Sequence, residues 1–251
     1  PLSRRQRQMC IRDRFYSGLV IKNIKVESSP QEIQNKLKSI GLKPINSIVD
    51  ITNYVMHEIG QPLHAFDLDK IENITVKSLK SGTKFKTLDE SEIKLNNEDL
   101  MICSNSEPLC LAGIYGGINS GVSKSTNSLF LESAIFNSVT IRKSSKRHQL
   151  FTDASYRYER GVDPNKVVYA LKRAALLIKE INPECHISEI IVEDNLKKEI
   201  KDVYLRYDRI EKISGQIIDK EIVIQILTSL DFEIKGHSDD GINLIAPDYR
   251  H

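Results

Sequence analysis

Residues 41–67 read GLKPINSIVDITNYVMHEIGQPLHAFD, and this stretch sets the character of the fold. Ile48, Ile51, Val55 and Ile59 recur at three- or four-residue spacing, which predicts a helix over 46–59. Asp50, Asn53 and His57 then fall on a different, more polar face. Gly60 and Pro62 break the helix before His64. A helix carrying polar residues that its periodicity does not need is the first pointer to a site.

Outward from this segment the pattern alternates between helix and strand. Upstream, Leu19, Ile21, Ile24 and Val26 predict a strand at 18–26. Ser29, Pro30 and Glu32 have capping-box spacing with proline at the first helical position, Ile33, Leu37 and Ile40 form one apolar face, and Gly41 stops that helix. Downstream, from 73 to 135, short strands alternate with turn residues: ITVKSL, KFKTL, EIKL, LMIC, CLAGI and LFLESAIF. Asn137 caps a helix to about His148, and Asp163-Pro164 opens another reaching Glu180, with Val167, Leu171, Ala174 and Ile178 on one face. The charged stretch 193–203 reads as a linker. Behind it come helices near 207–213 and 220–230 and a hairpin across Ser238 to Gly241. The fold class is therefore α+β, a large mixed domain followed by a small one.

Hydrophobic residues make up 40% and charged residues 28% of the 251, as in ordinary globular chains. The longest apolar runs, such as AALLI, fall far short of a membrane span. Cys10, Cys103, Cys110 and Cys185 form no CxxC pair, so a reduced cytoplasmic protein is expected. The net charge of +2 conceals an asymmetry: residues 1–14 hold five arginines and one acid, leaving about −2 for the rest. That segment reads either as a basic nucleic-acid arm or as a foreign or disordered flank. The second reading is taken, which places the large domain at 15–195, the linker at 196–203 and the small domain at 204–251.

Three clusters gather polar residues or glycines. They are Asp50, Thr52, Asn53, Gln61 and His64; the run AGIYGGINSG with Gly113, Gly116, Gly117 and Gly121; and Glu132 with Arg142 and Thr152 to Ser155. His57-Glu58 begins like HExxH, but position 61 is Gln, so no zinc site is expected. The glycine run matches neither common phosphate-loop pattern; it is either a tight turn or a place where a ligand meets backbone N–H groups. Glu132 lies among Leu129, Phe130, Leu131, Ala134, Ile135 and Phe136. An unpaired buried carboxylate is costly, so Glu132 either faces solvent or floors a pocket. RYERG (157–161) reads as an ion-paired helix edge.

The stretches GLKPINSIVDITNYVMHEIGQPLHAFDLDKI, LAGIYGGINSGV, LESAIFNSVTIRKSSKRHQLFTDASYRYERGVDP and APDYRH, in that order, resemble the β subunit of bacterial-type phenylalanyl-tRNA synthetase. The resemblance runs from about residue 15 to 251. It implies that the large domain is the B3/B4 editing domain, which hydrolyses tyrosine wrongly attached to tRNA(Phe). It further implies that 204–251 resembles B5, a winged-helix-like module. Carried over by motif, His64, Glu132 and Thr152 are the catalytic candidates, and Thr52, Asn53, Gly116, Gly117 and Ala154 line the substrate pocket. Glu132 is assigned to the tyrosine hydroxyl, and His64 and Thr152 to the ester or its attacking water.

A site built to hydrogen-bond that hydroxyl rejects the analogue lacking it by on the order of 10⁴-fold, far better than an apolar pocket does. The resemblance makes the chain a fragment with no cofactor or metal of its own; ATP and magnesium serve the whole α2β2 enzyme, with tRNA(Phe) and the α subunit as partners. The competing expectation is a non-catalytic scaffold and tRNA-docking region of the same subunit.

Overall fold

The computed structural model describes residues 15–196 and 202–250, together with the backbone of 9–11. The chain divides into two compact units, 1–196 and 197–251.

Unit 1 runs β1 (Met9–Ile11), β2 (Phe15–Lys22), α1 (Gln31–Ser39), α2 (Ser47–Ile59), β3 (Leu63–Asp67), β4 (Ile74–Ser78), β5 (Lys84–Lys86), β6 (Glu92–Lys94), β7 (Leu100–Ser104), β8 (Glu107–Leu111), β9 (Tyr115–Gly116), β10 (Ser128–Ile135), α3 (Ser138–His148), α4 (Asp153–Tyr158), α5 (Val167–Ile181), β11 (His186–Ile187) and β12 (Ile191–Asp194). One sheet has the order β1-β4-β7-β8-β9. A second has the order β11-β2-β10-β3, with β12 also on β2, and β5 with β6 forms a separate hairpin.

Strand β10 is the axis of the unit, antiparallel to β2 on one side and to β3 on the other. Every residue from Leu129 to Ile135 is buried. Side chains alternate faces along a strand, and the two faces of β10 enter different cores. Leu129 and Leu131 pack with Ile33 and Leu37 of α1, Ile48, Ile51 and Val55 of α2, and Ala170, Leu171, Ala174 and Ile178 of α5. Phe130 and Ala134 pack with Tyr16, Phe66, Met101, Ile102 and Leu111, the layer toward the first sheet. Glu132 shares the second parity. So do His64 and Phe66 on β3, since Ala65 belongs to the helical side.

Local chemistry explains the helix ends. Asn46 caps α2 by accepting from the N–H groups of Ile48 and Val49 at 3.1 and 3.0 Å, and Gly60 ends it with φ +87°. Asn137 caps α3 in the same way. The expected capping box at Ser29 and Glu32 does not form, because the Ser29 hydroxyl donates to the buried carboxylate of Asp50. Asp50 also accepts from the Ile45 N–H at 2.7 Å, and Glu32 pairs with Lys36 instead. A buried carboxylate needs donors more than an exposed helix end does.

Boundaries shift elsewhere. The strand expected at 18–26 is Phe15–Lys22, ended by Asn23 with φ +59°, although Ile24 and Val26 remain buried. The CLAGI segment is strand only to Leu111; Gly113, with φ +66°, turns the chain after it. Met9–Ile11, inside the segment set aside as a flank, pairs parallel with Ile74 to Val76, where β4 offers an open edge; 1–8 and 12–14 lie outside the described residues. The charged stretch is shorter as a connection than its composition suggests. Glu193 and Asp194 belong to β12, backed by β2, and residues 197–201 lie outside the description.

Unit 2 comprises β13 (Asp202–Arg206), α6 (Tyr207–Ser214), α7 (Lys220–Ser229), β14 (Glu233–His237) and β15 (Gly241–Ile245). Its antiparallel sheet has the order β13-β15-β14 around a small core of Val223, Ile242 and Leu244. Residues 202 and 203 are thus strand rather than linker. Among the described residues no helix is long and apolar enough to cross a membrane.

Candidate functional site

The antiparallel register places Glu132 opposite His64 on β3 and opposite Gly18 on β2. Directly opposed side chains on one face sit about 5 Å apart at Cβ, so the register itself couples the carboxyl to the imidazole. On the other flank Gly18 leaves room for the Phe130 ring: a Cβ there would stand 2.1 Å from its Cζ. The phenol of Tyr16, fully buried, donates to Oε2 of Glu132 at 2.5 Å.

Around this pair lies a cavity of about 70 Å³, lined by residues that include Pro62, His64, Cys110, Gly113, Gly116, Glu132, Ala154 and Tyr158. That volume holds a few waters and is well below the ~300 Å³ at which small-molecule pockets begin. A wider groove of about 1050 Å³ lies in unit 2, lined by Tyr204, Tyr207, Ile217 and a ring of charged side chains. It holds none of the polar groups predicted from sequence, so size and chemistry point to different places.

Electrostatics sharpens the site. Burial pushes the Glu132 carboxyl up to about 8, opposed only by the hydrogen bond from Tyr16. The acid is therefore largely neutral at pH 7. Burial lowers His64 to about 4. As a residue His64 is half-buried, but its Nε2 is enclosed and has no hydrogen-bond partner among the described residues. Its ring meets Phe66 edge to face at 4.4 Å between centroids. Two neutral groups, an acid and an imidazole, thus face each other with one nitrogen unused.

Of the residues predicted from sequence, the structure brings His64, Glu132, Gly116 and Ala154 together on the cavity wall. Gly116 separates His64 from the exposed Leu88: a Cβ there would stand 2.8 Å from Leu88 Cδ1 and 3.3 Å from His64 Cε1. Gly117 lies just beyond the wall, where a Cβ would stand 2.6 Å from the Leu109 carbonyl oxygen. Thr152 caps α4 in a capping box with Ser155, and its hydroxyl donates to the Ile114 carbonyl at 3.0 Å. Its oxygen is engaged twice, and it holds the Ile114 and Ala154 segments of the wall rather than touching the cavity. Thr52 donates to the Val49 carbonyl at 2.8 Å within α2, and neither it nor Asn53 lines the cavity.

The rest of the first cluster is structural. Asp50 organises the approach to α2, and Gln61 donates from Nε2 to the carbonyls of Ala134 and Pro62 at 2.9 and 3.1 Å. Glu58 is held by Arg173 at 3.0 and 3.1 Å and by Tyr54. No group of three metal-ligating side chains occurs among the described residues. The sequence reading missed Tyr16, Cys110 and Tyr158. For Tyr16 the available signal was the cost of burying Glu132 unpaired, which requires a donor from a neighbouring strand.

A strand-borne acid and imidazole inside a two-sheet domain is the setting in which family membership becomes informative. Residues 12–183 match the B3/4 domain family, and the chain belongs to that family. It is similar to the phenylalanine–tRNA ligase β subunit of Bacteroides thetaiotaomicron, with 44% identity over 94% of this chain and 29% of that protein. The same subunit from Porphyromonas gingivalis is 46% identical over 94% of this chain and 29% of its own length. The chain therefore spans less than a third of these relatives. An N-terminal fragment of the phenylalanyl-tRNA synthetase β subunit from Pyrococcus horikoshii aligns with all of this chain and 72% of its own, at a TM-score of 0.48 and 14% identity.

Proposed function

We propose that this chain is the proofreading part of a phenylalanine–tRNA ligase β subunit and hydrolyses the ester that joins tyrosine to tRNA(Phe). The observation that carries the reading is the Glu132 and His64 pair, opposed across β10 and β3 at a small cavity. A neutral carboxyl can donate to a phenolic oxygen, and an ionised one can accept from a phenolic O–H. Either state distinguishes tyrosine from phenylalanine, because without the hydroxyl a buried polar group is left unpaired.

In hydrolysis, water forms a bond to the ester carbonyl carbon, the bond to the ribose oxygen breaks, and that oxygen takes up a proton. With its pKa near 4, His64 is a weak proton acceptor at pH 7. Its role in this reading is to orient water or the ester through its free nitrogen. The N–H groups of Ile114 and Gly117 are bonded to the Leu111 and Leu109 carbonyls, so stabilisation of the developing oxyanion in this reading falls to N–H groups of the 113–117 turn left outside those bonds. Thr152 is a positioning residue, holding the Ile114 and Ala154 segments of the wall. Aminoacylation, with its ATP, magnesium and α subunit, belongs to the whole cytoplasmic enzyme.

The small cavity favours a second reading, a non-catalytic docking region. Deacylation by the 251-residue chain of tRNA(Phe) charged with tyrosine or with phenylalanine separates the two. The first reading expects faster release of tyrosine, with the preference lost in Glu132→Ala. If tyrosine release is unchanged in Glu132→Ala, the site is misassigned; if wild type releases nothing, the docking reading stands.

A further inference from the structure

The segment joining α3 to α4 presents side chains that neither the core nor the cavity uses. Phe151 and Tyr156 are 71% and 57% exposed, unusual for aromatic rings beside a buried site. They flank the capping box of Thr152, the residue before the cap and the fourth helical residue, a geometry that brings two such side chains together. Arg160 lies one turn further on, its guanidinium 3.5 Å from the centroid of the Tyr156 ring. Two residues of the same helix, Ala154 and Tyr158, line the cavity. The outer side of α4 is therefore a row of flat, exposed surfaces, and its inner side is the wall of the site.

The charge around this row is one-sided. Residues 138–160 contain six cations (Arg142, Lys143, Lys146, Arg147, Arg157 and Arg160) and two acids, a net +4 in a chain whose total is +2. Arg147 is neutralised by Glu98 and Asp99, Lys143 reaches Glu98 at 3.9 Å, Arg157 reaches Asp153 at 3.2 Å, and Arg160 pairs with its neighbour Glu159. Arg142 and Lys146, one turn apart and exposed on α3, make no ion pair among the described residues. The last turn of α3 is fastened to the residue before Phe151: the Leu150 N–H donates to the Ser145 carbonyl at 3.0 Å, and the Ser145 hydroxyl donates to the Leu150 carbonyl.

Exposed aromatic rings on the α4 segment, with unpaired cations on the helix fastened to it, suit an unpaired polynucleotide strand, in which bases stack on the rings and phosphates meet the cations. A protein partner would be expected to need an apolar patch with fewer free charges. We propose that Phe151, Tyr156 and Arg160, with Arg142 and Lys146 beside them, form the track for the single-stranded end of the RNA whose ester enters the cavity. The proposal rests on the proofreading reading for the identity of the ester, whereas the track is defined by its own residues.

The test is fluorescence anisotropy of a labelled single-stranded RNA 12-mer with the 251-residue chain, between 50 and 200 mM salt as an order-of-magnitude range over which such contacts weaken. Phe151→Ala and Tyr156→Ala should each weaken binding about ten-fold, while Tyr156→Phe, which keeps the ring, should bind like wild type. Arg142→Ala with Lys146→Ala should lower the slope of log K against log salt by about 1.4, or roughly 0.7 for each phosphate contact. Circular dichroism checks that the exposed substitutions leave the fold intact. Wild-type levels of RNA binding in the alanine variants, or no RNA binding at the lowest salt, overturns the track. Salt-sensitive binding through these residues, without release of tyrosine from charged tRNA, supports the track and rejects the proofreading reading.

Discussion

Replacing Glu132 by glutamine isolates the energetic consequence of burying an acid between two sheets. Glutamine has nearly the same shape and keeps an acceptor for Tyr16, but it does not titrate. In the folded chain burial holds the carboxyl at about 8, against an ordinary value of 4.5. Between those limits the unfolded chain is ionised and the folded chain is protonated, so the folded state binds more protons. Stability then falls as pH rises. Over the full gap of about 3.5 pH units, at about 1.4 kcal/mol per unit, the wild type loses up to about 5 kcal/mol relative to Glu132→Gln.

His64 acts in the opposite direction. Its depressed pKa makes stability rise from about pH 4 to 6.5, but it is present in both proteins and cancels in the difference. Hydrogen exchange of the β10 amides reports the opening of unit 1 alone. Measured at pH 5, 6, 7 and 8, the variant should gain on wild type steadily with pH. Parallel curves across that range would refute the claim that Glu132 is neutral in the folded chain.

Other substitutions probe the surrounding frame. Tyr16→Phe removes the hydrogen bond that lowers the Glu132 pKa, so any pH midpoint of tyrosine release that reports Glu132 should move up, as a rate profile would show. In Gly117→Ala the new methyl carbon meets the Leu109 carbonyl oxygen at 2.6 Å and Phe85 at 2.9 Å, which should cost about 1–3 kcal/mol in denaturant unfolding. Asp99 is buried, accepts from Ser144 at 2.7 Å and from Arg147 at 2.5 Å, and shares a hydrogen bond with Nε2 of His148 at 2.6 Å. Asp99→Ala should therefore destabilise unit 1 by about 3 kcal/mol, read by the same method. Thr152→Val, which loses the hydroxyl's bond from the Ser155 N–H and its bond to the Ile114 carbonyl, should cost about 1 kcal/mol, whereas Thr152→Ser should cost little.

What could be read from the sequence was what local periodicity encodes. The apolar stripes of α2 and α5 are close to helical spacing; α2 lies within a residue of where its cap and spacing put it, whereas Asp163-Pro164 opens a 3-10 turn and α5 itself begins at Val167. LFLESAIF reads as a strand with an acid at its centre, facing either solvent or a pocket. Which strands flank it is a matter of long-range pairing, and that decides the site. His64 meets Glu132 only because β3 and β10 align in one register, and Tyr16 reaches it only because β2 starts at Phe15 rather than at Gly18.

The capping-box misreading has the same origin. Ser29 had a local partner available in its own helix, and a buried Asp50 from the next helix won it. Thr152 was picked out by motif and lies beside the site, but its hydroxyl serves the backbone.

Register has a further consequence. Because side chains alternate along a strand, sliding β3 by one residue against β10 would carry His64 to the helical face and bring an apolar neighbour opposite the acid. A site carried on a loop degrades by degrees as the loop drifts. This one has only discrete settings, aligned or absent. Damage far from the cavity, in the turns that set how β3 and β10 meet, should therefore divide molecules into fully competent and wholly incompetent populations instead of lowering the competence of each.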